Sequence, residues 1–106
     1  MISPRILLLK EMLEKEPEDS FLNYVLALEY AKINEADKAI SIISAVLQKD
    51  KNYLAAYYQL GKLYEQTGLI KEAINTYKAG VYTAKEQNNL KTLGELNEAL
   101  MILEEE

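Results

Sequence analysis

The sequence has 106 residues, a formal net charge of −5, and neither cysteine nor histidine. Without these two residue types the chain cannot form disulfides or thiolate metal sites, and it lacks the commonest general base. Its lysines stand singly among carboxylates, which argues against a surface that neutralises the phosphates of nucleic acid.

The first half of the chain predicts three helices. They span about residues 4–16, 20–33 and 35–49. Ser3 can cap the first helix, Pro4 suits its first position, and Pro17 stops it. Asn34 ends the second helix, because asparagine tolerates the left-handed backbone conformation found at many helix ends. The third helix has one apolar face.

The second half predicts three more helices. They span about residues 53–67, 69–87 and 90–105. Gly68 ends the fourth helix in the same role as Asn34, and polar residues separate the fifth helix from the sixth. The sixth helix has a narrow apolar stripe, formed by Leu93, Leu96, Leu100 and Leu103. All the breaks are short, so consecutive helices should pack antiparallel.

Apolar runs such as Ile6–Leu9 are far too short to span a bilayer or to form the core of a signal peptide. The abundance of Ala, Leu, Glu and Lys favours helices, and the length suits one domain. We therefore expect a single all-α domain, located in the cytoplasm, without contact to membranes or nucleic acid.

The chain repeats itself after 34 residues, since Tyr30 aligns with Tyr64 and Asn34 with Gly68. A period of this length with two helices in each unit is typical of helical solenoids. Small residues also recur in register, and they are Ala27, Ala39, Gly61 and Ala73.

These small residues mark points where helices approach each other. Helix axes pack about 8–10 Å apart, and the closest approaches require small side chains. Gly61 costs about 1 kcal/mol of helix propensity relative to alanine. We therefore interpret Gly61 as a site of close packing and not as a hinge, and we expect Gly80 to act similarly where the fifth helix meets the sixth.

The second unit resembles the tetratricopeptide repeat (TPR), whose pattern is W-x2-L-G-x2-Y, then A-x3-F, then P. Its matching positions are Tyr57, Leu60, Gly61, Tyr64, Ala73, Tyr77 and Lys85. The first unit matches less closely, at Asn23, Leu26, Ala27, Tyr30, Ala39, Ile43 and Lys51. Upstream, Leu9 and Pro17 fit the second half of a repeat, although Arg5 stands where alanine belongs. The pattern fails after Gln87.

The resemblance implies a right-handed α-solenoid of antiparallel helix hairpins, with about six helices and a C-terminal capping helix. We expect a single TPR-like domain over residues 1–106. Its segments are a half repeat at 4–17, repeats at 20–53 and 54–87, and a capping helix at 89–105. The capping helix should cover the apolar end of the stack with one face.

Proteins of this family usually bind a peptide or protein segment in a concave groove lined by the first helix of each pair. Carried onto this chain, the groove candidates are Phe21, Tyr24, Leu28, Lys32, Tyr58, Lys62, Glu65 and Gln66. Aromatic side chains with a lysine suit a peptide that has apolar anchors. Lys32 and Lys62 are too few cations for the subtype of the family that grips a C-terminal carboxylate.

A second hypothesis is a structural module that self-associates, for example as a homodimer, or joins a larger complex through its terminal helices. The first helix carries more apolar side chains than contact with one neighbouring helix requires. The candidates for self-association are Ile6, Leu7, Leu8 and Met12.

We expect no enzyme activity, cofactor or metal site. The carboxylates of Glu14, Glu16, Glu18 and Asp19 cluster at a helix break without other ligand types. Neither Ser41 nor Ser44 has a histidine to activate it, and GKLYEQTG does not have the spacing of a phosphate-binding loop.

Overall fold

The computed structural model describes residues 3–105. Within this range the chain forms six α-helices and no β-strand. The helices are α1 (Pro4–Lys15), α2 (Ser20–Lys32), α3 (Ala36–Lys49), α4 (Leu54–Gln66), α5 (Ile70–Glu86) and α6 (Leu90–Glu104). All six predicted helices are confirmed, and each end lies within one residue of its prediction.

The helices form two compact units, one extending through Asp50 and the other starting at Lys51. In the first unit α2 packs against both α1 and α3. In the second unit α5 packs against both α4 and α6. The boundaries of the half repeat, the two repeats and the cap come from the sequence pattern and stay a prediction.

Side chains cap three of the helix starts. The Ser3 hydroxyl accepts a hydrogen bond from the amide of Ile6 at 3.1 Å, which confirms its predicted role. Asp19 accepts one from Leu22 at 2.8 Å at the start of α2. Asn89 does the same for α6 at 3.1 Å. Each cap satisfies an amide that has no partner within its own helix.

Three of the helix ends share one turn geometry. Asn34, Gly68 and Asn88 adopt positive φ angles of 63°, 81° and 55°. In each turn the next amide donates to the carbonyl five residues earlier, at 2.9, 2.8 and 3.0 Å respectively. Such bonds close the last helical turn and reverse the chain. The predictions for Asn34 and Gly68 are confirmed, and Asn88 adds a third turn of the same kind.

The core of the first unit takes side chains from all three of its helices. Its buried apolar residues are Ile6, Leu9, Leu22, Leu26, Ala27, Tyr30, Ala39, Ile43 and Val46. The Tyr30 ring has Lys10 Nζ at 5.9 Å and Lys38 Nζ at 5.3 Å from its centroid. These lysines cover the rim of the core with their aliphatic stems and keep their charges in water.

In the second unit, two buried glycines let helices approach closely. Gly61 of α4 lies against the ring of Tyr77 from α5. A Cβ on Gly80 would lie 2.8 Å from Tyr57 Cβ and 3.0 Å from Leu96 Cδ1. The packing roles predicted for Gly61 and Gly80 are confirmed. Ala27, Ala39 and Ala73 are likewise fully buried.

Candidate functional site

A cleft of ≈ 100 Å³ in the second unit is lined by one face of α4 and one face of α6. Its lining residues are Tyr58, Lys62, Glu65, Glu95, Glu98, Ala99 and Ile102. Three of the eight groove candidates, Tyr58, Lys62 and Glu65, therefore meet in one place. Their spacing of four and three residues puts them on a single face of α4.

Tyr58, the aromatic residue of the cleft, packs against the buried Tyr77 ring and against Lys62. The Tyr58 ring lies 6.1 Å from the Tyr77 ring between centroids, at an angle of 44°. Lys62 lies one turn further along α4, with its Nζ 5.8 Å from the Tyr58 centroid. The ring attracts the ammonium group electrostatically. Tyr58 is thus positioned on both sides and stays partly accessible from the cleft.

Glu65 is also positioned by Tyr77, whose hydroxyl donates a hydrogen bond to Glu65 Oε2. Burial raises the pKa of the Tyr77 hydroxyl far above its usual value, and its hydrogen bond to Glu65, the charge of Glu65 and the charge of Tyr58 raise it further. Tyr77 therefore stays protonated and remains a donor. One oxygen of the Glu65 carboxylate is fixed at the wall of the cleft as a result.

The opposite wall is the face of α6 beside its buried stripe. Leu96, Leu100 and Leu103 are buried, which confirms most of the predicted stripe. The four α6 residues in the cleft lie on the adjacent face, and they are Glu95, Glu98, Ala99 and Ile102. Ile102 is 56% exposed, so this wall presents apolar surface to the cleft.

No residue of the α6 wall was named in the sequence analysis, which described the last helix as a cap and, in the second hypothesis, only in general terms as one of the terminal helices that could join a larger complex. The spacing of apolar residues in α6 could nevertheless have identified this wall. Once Leu96, Leu100 and Leu103 are assigned to the core, helical spacing places residues 95, 98, 99 and 102 on one neighbouring face.

The cleft has an acidic rim. It contains the carboxylates of Glu65, Glu95 and Glu98 and one ammonium group, that of Lys62. Within residues 3–105, neither Glu95 nor Glu98 forms an ion pair, and Lys62 forms none with any carboxylate. These charges are therefore open to interaction with an incoming group.

The sequence model of a family described as "Tetratricopeptide repeat" matches residues 34–95, more than half of the chain. The chain belongs to the tetratricopeptide repeat family. TPR domains generally mediate protein–protein interactions and generally act as non-enzymatic modules. No match is found among curated proteins.

Solved TPR structures are similar to this chain. A tetratricopeptide repeat domain protein from Salinibacter ruber is 37% identical in its crystal structure, covering 81% of this chain and 96% of that chain, with a TM-score of 0.77. Its solution NMR structure gives 39% identity, 83% and 89% coverage, and a TM-score of 0.79. These similarities confirm the predicted all-α helical-repeat solenoid.

A more distant likeness concerns the fold alone. The TPR2B domain of yeast Sti1, whose structure is a complex with pHsp70, is 22% identical. The match covers 94% of this chain and 80% of that one, with a TM-score of 0.87.

The other five groove candidates lie outside this cleft. Phe21 is 62% exposed, whereas Tyr24 and Leu28 are half-buried. Lys32 Nζ lies 3.1 Å from Glu29 Oε2 and is thereby paired. Gln66, the last residue of α4, is exposed but does not line the cleft. Their role in binding stays a prediction.

The first unit has its own cleft of ≈ 250 Å³, and the groove candidates are not part of it. The side chains of Asn23 and Lys49, two of its polar lining residues, already bind the turn between α1 and α2. Asn23 Nδ2 donates to the carbonyls of Pro17 and Asp19 at 3.0 and 2.9 Å. Lys49 Nζ lies 3.2 Å from Glu18 Oε1 and also donates to the Glu18 carbonyl. We therefore assign this cleft a structural role.

Of the four self-association candidates on α1, three are exposed and one is not. Leu7, Leu8 and Met12 are largely accessible to solvent. Ile6 is fully buried in the core, so its inclusion among the surface candidates was wrong. The helical spacing of Ile6 and Leu9 puts these two on the face of α1 that is buried.

Between Ser3 and Glu105 no group of three or more acidic side chains is arranged to hold a metal ion. No helix in the described part of the chain is both long and apolar enough to cross a membrane.

Proposed function

We propose that this chain is a protein-interaction module whose α4–α6 cleft, the cleft lined by Tyr58, Lys62 and Ile102 among others, binds a segment of a partner protein. The observation that carries the proposal is the meeting of predicted groove residues from α4 with an exposed apolar face of α6. An aromatic ring and an aliphatic side chain on opposite walls suit an apolar anchor residue of a peptide.

The size of the cleft supports a peptide over a small molecule. Small-molecule sites usually enclose about 300–1,000 Å³, whereas this cleft holds ≈ 100 Å³. That volume suits one anchoring side chain, with the rest of a segment lying along the helices. The yeast TPR2B domain, which is similar in fold, was solved as a complex with pHsp70 and offers a precedent for partner binding in this family.

The test is selection of binding peptides from a random displayed library, followed by mapping of the bound site by NMR. We expect the tightest selected peptide to shift the amide signals of Tyr58, Lys62 and Ile102. Ile102→Ala should weaken its binding by about 3- to 10-fold, because apolar contact is lost. Met101→Ala is the matched control, since Met101 is similarly exposed, at 60%, but lies outside the cleft.

Two results would contradict the proposal. One is a set of shifts confined to other surfaces, such as the exposed face of α1. The other is an equal loss of affinity in the Ile102 and Met101 variants.

A second candidate function is assembly through α1. Leu8 and Met12 lie one turn apart, and both are exposed together with Leu7. An exposed apolar patch of this kind often marks an interface. We expect light scattering at rising concentration to detect a dimer that Leu8→Glu with Met12→Glu abolishes. A wild-type chain that stays monomeric at high concentration would exclude this candidate.

A further inference from the structure

We infer that the segment bound in the α4–α6 cleft is cationic, with lysine or arginine side chains beside one apolar anchor. This inference rests on the proposed function and adds the chemistry of the partner. It follows from the charges around the apolar walls of the cleft, from their lack of partners, and from the charge of the chain as a whole.

The α6 wall presents two like charges without compensation. Glu95 and Glu98 are three residues apart on one helix, so their Cβ atoms lie about 5–6 Å apart and the carboxylates repel each other. Both are exposed, and neither forms an ion pair within the described chain. A cation placed between them would relieve this repulsion and gain two attractive contacts.

The single lysine of the cleft does not supply that cation. Lys62 Nζ lies over the Tyr58 ring, 5.8 Å from its centroid, and forms no ion pair with a described carboxylate. Other carboxylates of the chain do have lysine partners, as Glu104 has in Lys78 at 3.6 Å. The acidic rim of the cleft is therefore left for a cation from outside.

Other occupants fit these charges poorly. The chain's own acidic end, Glu104 to Glu106, would bring further negative charge to the rim. A second copy of the chain, with its net charge of −5, would likewise bring further negative charge to this acidic rim. Nucleic acid is excluded by the same sign of charge. A basic segment with an apolar residue for the Ile102 and Tyr58 walls satisfies both features of the cleft.

The experiment is the selection of displayed random peptides against three proteins, namely the wild type, Glu95→Gln with Glu98→Gln, and Glu72→Gln with Glu86→Gln. The last is the matched control, since it removes the same charge from exposed residues of α5 outside the cleft. We expect enrichment of lysine and arginine with the wild type and the control, and none with the α6 variant.

The affinities of one selected peptide provide a quantitative readout. The α6 variant should raise its Kd by about 2- to 30-fold, the range for two exposed ion pairs, while the control leaves the Kd unchanged. High salt should reduce the difference, because exposed charges are screened.

Failure of this inference can be distinguished from failure of the proposed function. Peptides that shift the signals of Tyr58 and Ile102 but are not enriched in basic residues would overturn this inference and leave the proposed function intact. Equal Kd values for the wild type and the α6 variant would do the same. Peptides that bind elsewhere on the chain would overturn both.

Discussion

The ring of Tyr77 covers the open face of Gly61 so closely that a Cβ atom on the glycine would lie 2.2 Å from Cε1 of the tyrosine. Two further ring atoms, Cδ1 and Cζ, would lie at 2.6 Å. Tyr77 is fully buried and also lies against the Tyr58 ring, at 6.1 Å between centroids, so a shift of its ring would disturb other packing. The close packing of α4 and α5 therefore depends on the absence of a side chain at residue 61.

Gly61→Ala should consequently destabilise the fold. Overpacking a core costs about 1–3 kcal/mol or more, and alanine regains only about 1 kcal/mol of helix propensity. We expect the free energy of unfolding to fall by about 1–2 kcal/mol, measured by urea denaturation with circular dichroism. A variant as stable as the wild type would show that α4 and α5 can separate without cost.

Gly94→Ala is the matched substitution in an open environment, and we expect the opposite sign. Gly94 lies inside α6, is exposed, and would place a Cβ with nothing within 4 Å. Alanine should therefore raise the free energy of unfolding by about 0.5–1 kcal/mol through helix propensity alone. The same urea titration measures it. Destabilisation by this change would indicate that the surface of α6 around Gly94 is covered in solution.

Tyr77→Phe tests the hydrogen bond that joins the core to the cleft. The substitution keeps the ring and removes the donor to Glu65. A hydrogen bond to a charged group contributes about 1.5–3 kcal/mol, but Glu65 is partly exposed and can regain water. We therefore expect a loss of about 1 kcal/mol at neutral pH, seen by urea denaturation. If the peptide-binding proposal holds, binding should also weaken, because Glu65 loses its fixed position.

The pH dependence of stability provides a separate test of Tyr77. Burial raises the pKa of its hydroxyl far above the ordinary 10.0, with Glu65 adding to the shift. A raised pKa in the folded state contributes stability that is complete below the unfolded pKa and is lost as pH rises above it. One unit above pH 10, the loss from this group should reach about 1.4 kcal/mol.

Urea denaturation between about pH 8 and pH 11 measures this loss. Tyr77→Phe should lose less stability over that range than the wild type, because the other tyrosines ionise in both proteins. Parallel curves for the two proteins would show that the Tyr77 hydroxyl ionises normally in the fold.

The ends of the helices could be predicted from sequence because their signals act within one turn. Ser3 caps the first helix, and Asn34 and Gly68 reverse the chain, through contacts with residues only a few positions away. The packing roles of Gly61 and Gly80 were also accessible, since a glycine that costs helix propensity needs a compensating contact. Local chemistry and the repeat period together specify most of the fold.

Features that depend on the rotation of one helix against another were harder to predict. In the repeat pattern Arg5 occupies an alanine position, but Ile6 is the residue buried in the core, while the Arg5 side chain is exposed. The partner of the Tyr77 hydroxyl lies on a different helix, twelve residues away in sequence. The periodicity of a single sequence does not show which side chains of two different helices will contact each other.

The candidate cleft was predictable on one side only. The α4 wall follows from the repeat pattern, which assigns Tyr58, Lys62 and Glu65 to one face. The α6 wall belongs to a helix that departs from the repeat pattern. The outward face of α6 can be identified only when Leu96 and Leu100 are known to be buried. In the sequence alone, Glu95 and Glu98 cannot be distinguished from the other solvated glutamates of this acidic chain.

The buried carboxylate of Glu29 lies between two cations. Only 7% of the residue is exposed, and its Oε2 lies 3.4 Å from Arg5 Nε on α1 and 3.1 Å from Lys32 Nζ on its own helix. Both cations are largely exposed, so solvent screens much of their attraction. The contact to Arg5 nonetheless connects α1 to α2.

A double-mutant cycle with Arg5→Gln and Glu29→Gln measures this connection. We expect a coupling free energy of about 0.5–1 kcal/mol, decreasing at high salt, because the carboxylate is buried but its partners are not. The matched control is Glu35→Gln with Lys38→Gln, an exposed pair at 4.0 Å that should couple by less than about 0.3 kcal/mol. Equal coupling in the two cycles would mean that burial of Glu29 adds nothing to the attachment of α1.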